Sequence, residues 1–268
     1  MRVAFQGEPG AYSEEAIAAY FGPSAAPVGC PRFSDVFAAL AAREVDRALV
    51  PFENSLAGLV PQPHDLLFAS GLCIVGEHLL RIRHCLLGLP GERLEQVKQV
   101  RSHPQALAQC GAFIAQHQLL EVPHQDTAGS ARQLAEEQTR GVAVIASAGA
   151  GERYGLQLLA SGIETSTDNE TRFLDLAFAP ASGEGSKTAL ALTFKEGVGA
   201  LPGALALLER HGLRLTRLVE RPAPGQAWSW VFFLDLAAGR RACAPAIVAL
   251  RESGASVREL GSFQGQRF

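Results

Sequence analysis

Pro180-Ala181-Ser182-Gly183-Glu184-Gly185-Ser186 divides the chain. The stretch is small, polar and turn-forming. It carries no apolar period, so it reads as a linker. The segment beyond it has a complete pattern of its own. Residues 188–194 alternate as a strand, 201–211 form a helix starting near Pro202, and 213–219 and 228–236 are strands. Residues 243–251 form a second helix and 256–260 a last strand. The order β-α-β-β-α-β is the ferredoxin-like split unit. Before the linker, short apolar runs alternate with helical patterns. Strands are expected at 2–5, 48–50, 73–75, 78–87, 97–101, 119–122, 142–145 and 174–178. Helices are expected at 13–21, 34–40 (capped by Ser34), 105–117, 126–134 and 147–154. Such alternation predicts a mainly parallel sheet, or two.

The whole chain has 268 residues, 47% of them hydrophobic and 19% charged, so extensive disorder is not expected. Its net charge of −3 and the lack of a dense basic stripe speak against nucleic acid as a partner. No run of 18 uncharged apolar residues exists to span a membrane. The start, Met1-Arg2-Val3-Ala4-Phe5-Gln6-Gly7-Glu8, lacks the apolar core of a signal peptide, so a cytoplasmic protein is expected. Cys30, Cys73, Cys85, Cys110 and Cys243 are scattered and form no CxxC pair, and the histidines lack metal-ligand spacing. No metal site is expected.

In open α/β sheets, ligands bind beyond the carboxyl ends of strands. The polar residues just after the expected strands are therefore the candidates. Glu53-Asn54-Ser55-Leu56-Ala57-Gly58 offers an acid, an amide and a hydroxyl within one turn. The plainer alternative is a turn with Asn54 left-handed. In Ser102-His103-Pro104-Gln105, Pro104 suits a first helical turn and Ser102 precedes free N–H groups that favour an anion. Gln109 lies one turn on, and His103 is either the near-neutral titrating group or a packed histidine. Asp126, Thr127 and Ser147 also come just after strands. Thr171-Arg172-Phe173 closes a polar run that enters a strand. It supplies a hydroxyl, a carboxylate clamp and an apolar wall, or else a surface connection. Gln6-Gly7-Glu8-Pro9-Gly10-Ala11-Tyr12-Ser13 is a glycine-bearing loop but neither GxGxxG nor a P-loop, so NAD and ATP chemistry are not supported.

Glu53-Asn54-Ser55, Ser102-His103-Pro104-Gln105 with Gln109-Cys110, Thr171-Arg172-Phe173 and the opening Gln6–Ser13 loop together resemble prephenate dehydratase. The C-terminal segment resembles the family's ACT regulatory domain. Gly199-Ala200-Leu201 matches the GAL motif, and Arg221-Pro222 matches the end of ESRP. The resemblance implies a two-lobed α/β catalytic domain, like a type II periplasmic binding protein, at 1–180. Lobe one would span about 1–75 and 160–180, and lobe two 76–159. An ACT domain would occupy 187–268. Strand one begins at Arg2, so no chorismate mutase segment is expected ahead of it.

The implied reaction converts prephenate to phenylpyruvate, water and carbon dioxide, with no metal or organic cofactor. Aromatisation drives it; the obstacle is hydroxide as leaving group, which needs a hydrogen-bond or proton donor. By resemblance Thr171 is that donor. Glu53, Asn54, Ser102 and Gln109 complete the catalytic set, and Ser55, Arg172, Phe173, Asp126 and His103 surround the substrate. Arg172 either pairs with a substrate carboxylate or braces Glu53 or Asp126. The resemblance also implies L-phenylalanine as effector at Gly199, Ala200, Leu201, Glu220, Arg221 and Pro222, and a homodimer or homotetramer. Here the acid of ESRP is displaced, in Val219-Glu220-Arg221-Pro222, which on a strand turns it to the other face. The rival readings are an arogenate dehydratase and a non-catalytic small-molecule sensor.

Overall fold

The computed structural model describes residues 1–266; the last two residues of the expected 187–268 domain lie outside the described residues. The elements run β1 (Arg2–Gln6), α1 (Tyr12–Phe21), β2 (Ala26–Cys30), α2 (Phe33–Ala41), β3 (Arg47–Asn54), β4 (Gly58–Leu59) and α3 (Pro61–Ala69). They continue with β5 (Cys73–Arg81), β6 (Cys85–Gly88), β7 (Gln99–Ser102), α4 (Pro104–Gln109), α5 (Gly111–Gln116), β8 (Leu120–Pro123) and α6 (Thr127–Glu137). Next come β9 (Val142–Ala146), α7 (Ala148–Tyr154), β10 (Gln157–Ser161) and β11 (Glu170–Ala177). The last are β12 (Lys187–Phe194), α8 (Leu201–Arg210), β13 (Leu215–Pro222), β14 (Trp230–Leu236), α9 (Arg240–Glu252) and β15 (Ala255–Phe263). This mixed α/β chain divides into two compact units. One comprises residues 1–36, 53–59 and 79–172; the other comprises 37–52, 60–78 and 173 onward. The chain changes unit within α2, β3, β5 and β11 and between β4 and α3.

In the first unit, β1 pairs in parallel with β2. A five-stranded sheet has the order β10-β6-β9-β7-β8. β7 is parallel to β8 and β9, whereas β6 runs antiparallel to β9 and β10. β9 reads Val-Ala-Val-Ile-Ala and every residue is buried. Side chains alternate across a strand. Ala143 and Ile145 therefore join Val100, Leu107 and Ile114 on one face, and Val142 and Val144 join Ala131, Leu134 and Ala150 on the other. A run apolar on both faces suits a central strand covered by helices on each side.

The Gln6–Ser13 loop docks on the start of α7. Ser147 caps that helix by accepting from Ala150 N (3.0 Å), and its Oγ donates to the Gly10 carbonyl (2.6 Å). Gly10 has φ +88°, and a Cβ there would lie 2.9 Å from Ala150 Cα. Only glycine combines that backbone with that approach. The anchored loop sets Tyr12, the first residue of α1.

In the second unit, a sheet of order β13-β14-β12-β15 is antiparallel throughout. α8 and α9 bury Leu207, Ile247 and Leu250 against Leu190, Leu192, Phe232 and Leu234. This is the β-α-β-β-α-β arrangement expected from the sequence. On β14 the alternate residue Phe233 meets His64 and Phe68 of α3, with ring centroids 5.2 and 6.3 Å away.

Several expectations need correction. Ser34 does not cap α2, which already includes Phe33; Asp35 in the first turn holds Arg32 at 2.9 Å instead. The strand expected over 78–87 is two strands, β5 and β6, broken at 82–84. The helix expected over 105–117 is α4 and α5, separated at Cys110 (φ −106°, ψ 13°). The Pro180–Ser186 stretch is largely exposed, yet its Glu184 is tied to α9. Glu184 accepts from the N–H groups of Arg240 (3.0 Å, carbonyl) and Arg241 (2.6 Å, carboxylate), giving α9 the cap that Gly239 cannot supply. β2, α3 and β10 have no counterpart in the sequence reading. Pro61 and Pro63 suggest a break, yet both fall in the first turn of α3, where their missing N–H groups would have no helical partner.

Candidate active site

The site lies in the first unit, where β3 ends and β11 begins. Asn54 closes β3 and governs the turn after it. Its Oδ1 accepts from Leu56 N (3.1 Å) and Ala57 N (2.8 Å). β4 then returns alongside Glu53 and Asn54. The left-handed position of this turn is Gly58 (φ +78°), not Asn54. Ser55 staples the turn to β11. Its N–H donates to Glu170 O (2.8 Å), and its Oγ donates to Asp168 O (2.5 Å) and accepts from Glu170 N (2.9 Å).

With its oxygen committed, Asn54 presents Nδ2 inward. It lies 2.8 Å from Asn169 Oδ1, 3.1 Å from Glu170 O and 3.0 Å from Thr171 Oγ1. Asn169 passes the contact on, its Nδ2 donating to Gln109 Oε1 at 3.0 Å. Gln109 Oε1 also lies 2.8 Å from His84 Nε2. His84 Nδ1 is 2.7 Å from the Tyr12 hydroxyl, and the two rings meet edge to face. Six side chains thus form one unbroken chain: Tyr12, His84, Gln109, Asn169, Asn54 and Thr171. The backbone holds its members. His84 N donates to Glu164 Oε2 (2.9 Å), and Gln109 O accepts from Thr165 N (2.8 Å).

Burial makes this chain electrically neutral. It pulls the His84 pKa down, an effect only partly offset by the Gln109 hydrogen bond and by Glu164. It pushes the Tyr12 hydroxyl well above its usual value, helped by Cys85, Cys110, Glu15 and Glu164. Burial also drives the neighbouring Cys110 thiol up to about 12, which removes it as a thiolate nucleophile.

Of the residues expected from sequence, Asn54, Gln109 and Thr171 come together. Others stand elsewhere. Ser102 is fully buried and donates to Ile145 O (2.6 Å); it does not sit at the helix start. His103 occupies that cap, accepting from Gln105 N, and is exposed. Asp126 caps α6 through Gly129 N. A Cβ on Gly129 would fall 2.6 Å from the Asp126 carboxylate, so that residue must be glycine. On β11, Thr171 and Arg172 point to opposite faces, and both are buried. Glu53 pairs through its backbone with Leu59. Phe173, also buried, belongs to the second unit.

Tyr12, His84 and Asn169 escape a search of strand exits, because the latter two stand at strand entrances. In antiparallel pairs an entrance lies beside a neighbour's exit. His84 precedes β6, whose Cys85 pairs with Ala146 at the end of β9. Asn169 precedes β11, which Ser55 ties to the end of β3.

The expected effector residues lie in the second unit. Gly199 and Ala200 form a short 3-10 turn leading to Leu201, the first residue of α8. Glu220, Arg221 and Pro222 close β13, where Glu220 and Pro222 are exposed and Arg221 takes the other face. There Arg221 grips Asp65 of α3 through two hydrogen bonds of 2.9 and 2.7 Å.

A family model described as prephenate dehydratase matches residues 3–180. An arogenate dehydratase of Petunia hybrida is 38% identical over 98% of this chain and 71% of its own length. A bifunctional N-acyl-homoserine lactone acylase/prephenate dehydratase of Komagataeibacter europaeus is 38% identical over 87% of this chain and 84% of its own. Among solved structures, one described as a novel type of quorum quenching acylase superposes with a TM-score of 0.92 at 35% identity, covering 100% of this chain and 99% of its own. The prephenate dehydratase of Arthrobacter aurescens, in complex with L-Phe, superposes with a TM-score of 0.88 at 28% identity, covering 98% and 90%. With its amide chain ending on a threonine hydroxyl at the junction of β3 and β11, the protein belongs to the prephenate dehydratase family.

Proposed function

We propose that the site converts prephenate to phenylpyruvate, water and carbon dioxide. One observation carries this reading. Asn54 donates to Thr171 Oγ1, so one lone pair of that oxygen is taken and its own O–H remains to donate. When the ring carboxylate leaves as carbon dioxide, the electron pair of the broken C–C bond enters the ring and expels hydroxide. A donor at that hydroxyl stabilises the leaving group, and a proton taken ultimately from solvent completes the water. A threonine hydroxyl is too weak an acid to protonate freely at neutral pH, so Thr171 acts as hydrogen-bond donor and relay. Gln109 holds the substrate, and Asn54 holds Thr171. The neutral, water-poor surroundings favour loss of a carboxylate as an uncharged gas.

The reading extends to the rest of the chain. Residues 1–180 act as the two-lobed catalytic domain and 187–268 as an ACT domain, in a cytoplasmic homodimer or homotetramer. L-phenylalanine feeds back at Gly199, Ala200, Leu201 and Arg221; the bound L-Phe of the Arthrobacter protein supports this. The relatives' names support arogenate as the rival substrate. An acylase needs an activated nucleophile. Ser55 and Ser102 instead spend their hydroxyl hydrogens on carbonyls, which favours dehydration.

The test is phenylpyruvate formation from prephenate at neutral pH, against an enzyme-free control, with and without phenylalanine. Arogenate and an N-acyl-homoserine lactone serve as parallel substrates. Thr171→Ala is expected to lose roughly 100-fold or more in kcat with little change in KM. Wild-type kcat in that variant removes Thr171 from the mechanism. Inertness toward every substrate favours a sensor.

A further inference from the structure

We propose that His84, Tyr12 and Asn169 are positioning residues that fix the amide of Gln109, so that its Nε2 hydrogens serve as donors to a substrate carboxylate. The inference rests on the functional reading above and names how the same site holds its anion.

The direction of every hydrogen bond is set by two peptide groups. Leu56 N–H and Ala57 N–H can only donate, so the Asn54 atom facing them is oxygen. The other end of Asn54 is then the NH2 group. The Asn169 atom 2.8 Å from it must accept and is oxygen. Asn169 therefore turns its NH2 to Gln109, whose facing atom is oxygen. That oxygen cannot donate, so His84 Nε2, at 2.8 Å, must carry a hydrogen. A neutral imidazole has one N–H. His84 Nδ1 is then an acceptor, and Tyr12 O–H donates to it at 2.7 Å. Burial keeps the ring neutral and so keeps the alternation intact.

The consequence falls on Gln109. Two donors, His84 and Asn169, hold its oxygen, and its amide cannot flip without setting its NH2 group against both of them. Its Nε2 is buried and has no protein acceptor among the described residues. A buried amide NH2 without an acceptor is costly unless a ligand completes it. Prephenate carries two carboxylates, and a carboxylate oxygen is the acceptor such a donor fits.

Two measurements test this on the full-length protein. The first is a long-range 1H–15N correlation spectrum of histidine-labelled enzyme, with the His84 signals assigned by their loss in His84→Gln. The Nε2–H tautomer is expected at pH 7. In Asn169→Asp the residue can no longer donate to Gln109, the amide reverses, and His84 is expected to switch to Nδ1–H. The second is kinetic. His84→Phe removes the donor and should raise KM about tenfold, the cost of one hydrogen bond, with a smaller change in kcat. His84→Gln can donate to Gln109 and accept from Tyr12, and should recover most of that loss. An Nδ1–H or charged ring in the wild type, an unchanged tautomer in Asn169→Asp, or an unchanged KM in His84→Phe overturns the proposal. Wild-type enzyme inert toward prephenate and arogenate, yet showing both expected tautomers, refutes the substrate reading and leaves the positioning chain standing.

Discussion

His84 and His64 are both buried and both neutral, yet they carry their hydrogens on opposite nitrogens. In the first unit, His84 is Nε2–H because its chain ends on peptide donors. In the second, His64 sits on α3 with Nδ1 3.0 Å from the Val60 carbonyl, one turn back along the chain. A carbonyl only accepts, so Nδ1 carries the hydrogen. Nε2 is left to accept from Arg217, at 3.5 Å. The Phe52 and Phe233 rings meet His64 edge to face at 4.7 and 5.2 Å. In both places a backbone group that cannot change roles dictates the side-chain tautomer. The difference is what surrounds the ring. His84 is set among amides and a phenol, a neutral chain that gives direction without charge. His64 faces two guanidiniums, which gives it a steep response to acid.

That response is the largest effect expected of the comparison. Burial, then the charge of Arg217, pulls the His64 pKa from 6.5 to about 3. Between those values the unfolded chain holds a proton that the folded chain refuses. Stability is therefore full above about 6.5, falls as pH drops, and loses no more from this group below about 3. Midway the slope approaches 1.4 kcal/mol per pH unit, roughly. Urea unfolding at pH 7, 5.5 and 4.5 measures it. His64→Gln should flatten the curve, leaving the part that His84 contributes in the same direction. An equal slope in wild type and variant would show that His64 titrates normally.

This contrast also marks what the sequence could disclose. Alternating apolar runs reveal β9 and the C-terminal sheet, because periodic burial is written in residue type. They do not reveal α3, where Pro61 and Pro63 mimic a break, or the gap at 82–84, where Arg81-Ile82-Arg83 keeps a strand-like alternation through a change of strand. The site was half legible. Asn54, Gln109 and Thr171 stand where a strand or helix ends or a polar run meets a strand, so they attract notice singly. Their connection does not, because His84 and Asn169 join them at strand entrances beside a neighbour's exit, and Tyr12 joins through the docked Gln6–Ser13 loop. The hydrogen directions are further removed still. They depend on the peptide N–H groups of Leu56 and Ala57, which every sequence possesses.

A smaller effect sharpens the electrostatic half of the comparison. Arg217→Met keeps an unbranched side chain beside His64 and removes its charge. The His64 pKa should rise toward its ordinary value, so acid destabilisation should be shallower and should level off at a higher pH. Titration of the His64 ring proton signals measures this directly. An unmoved value would show that Arg217 contributes nothing to the shift. His84, outside this cluster, should keep both its tautomer and its neutrality in the same sample.

The smallest effect concerns the ion pair next to that ring. Asp65 raises the His64 pKa while Arg221 lowers it, and the two hold each other with two hydrogen bonds. Asp65→Asn should therefore cost about 0.5–1 kcal/mol at neutral pH, since both side chains are partly exposed and water screens the pair. It should also push the His64 pKa lower still, because Arg221 would be left uncompensated beside the ring. The two consequences separate under salt. The stability loss should shrink at about 1 M NaCl, where exposed charges are screened, while the shift of the buried ring should persist. A loss independent of salt would mean that Asp65 acts through packing of α3 rather than through charge. A deepened shift that persists in salt would place Arg221, the residue expected to meet phenylalanine, in electrical contact with a buried ring on the helix just after the Glu53–Leu59 turn.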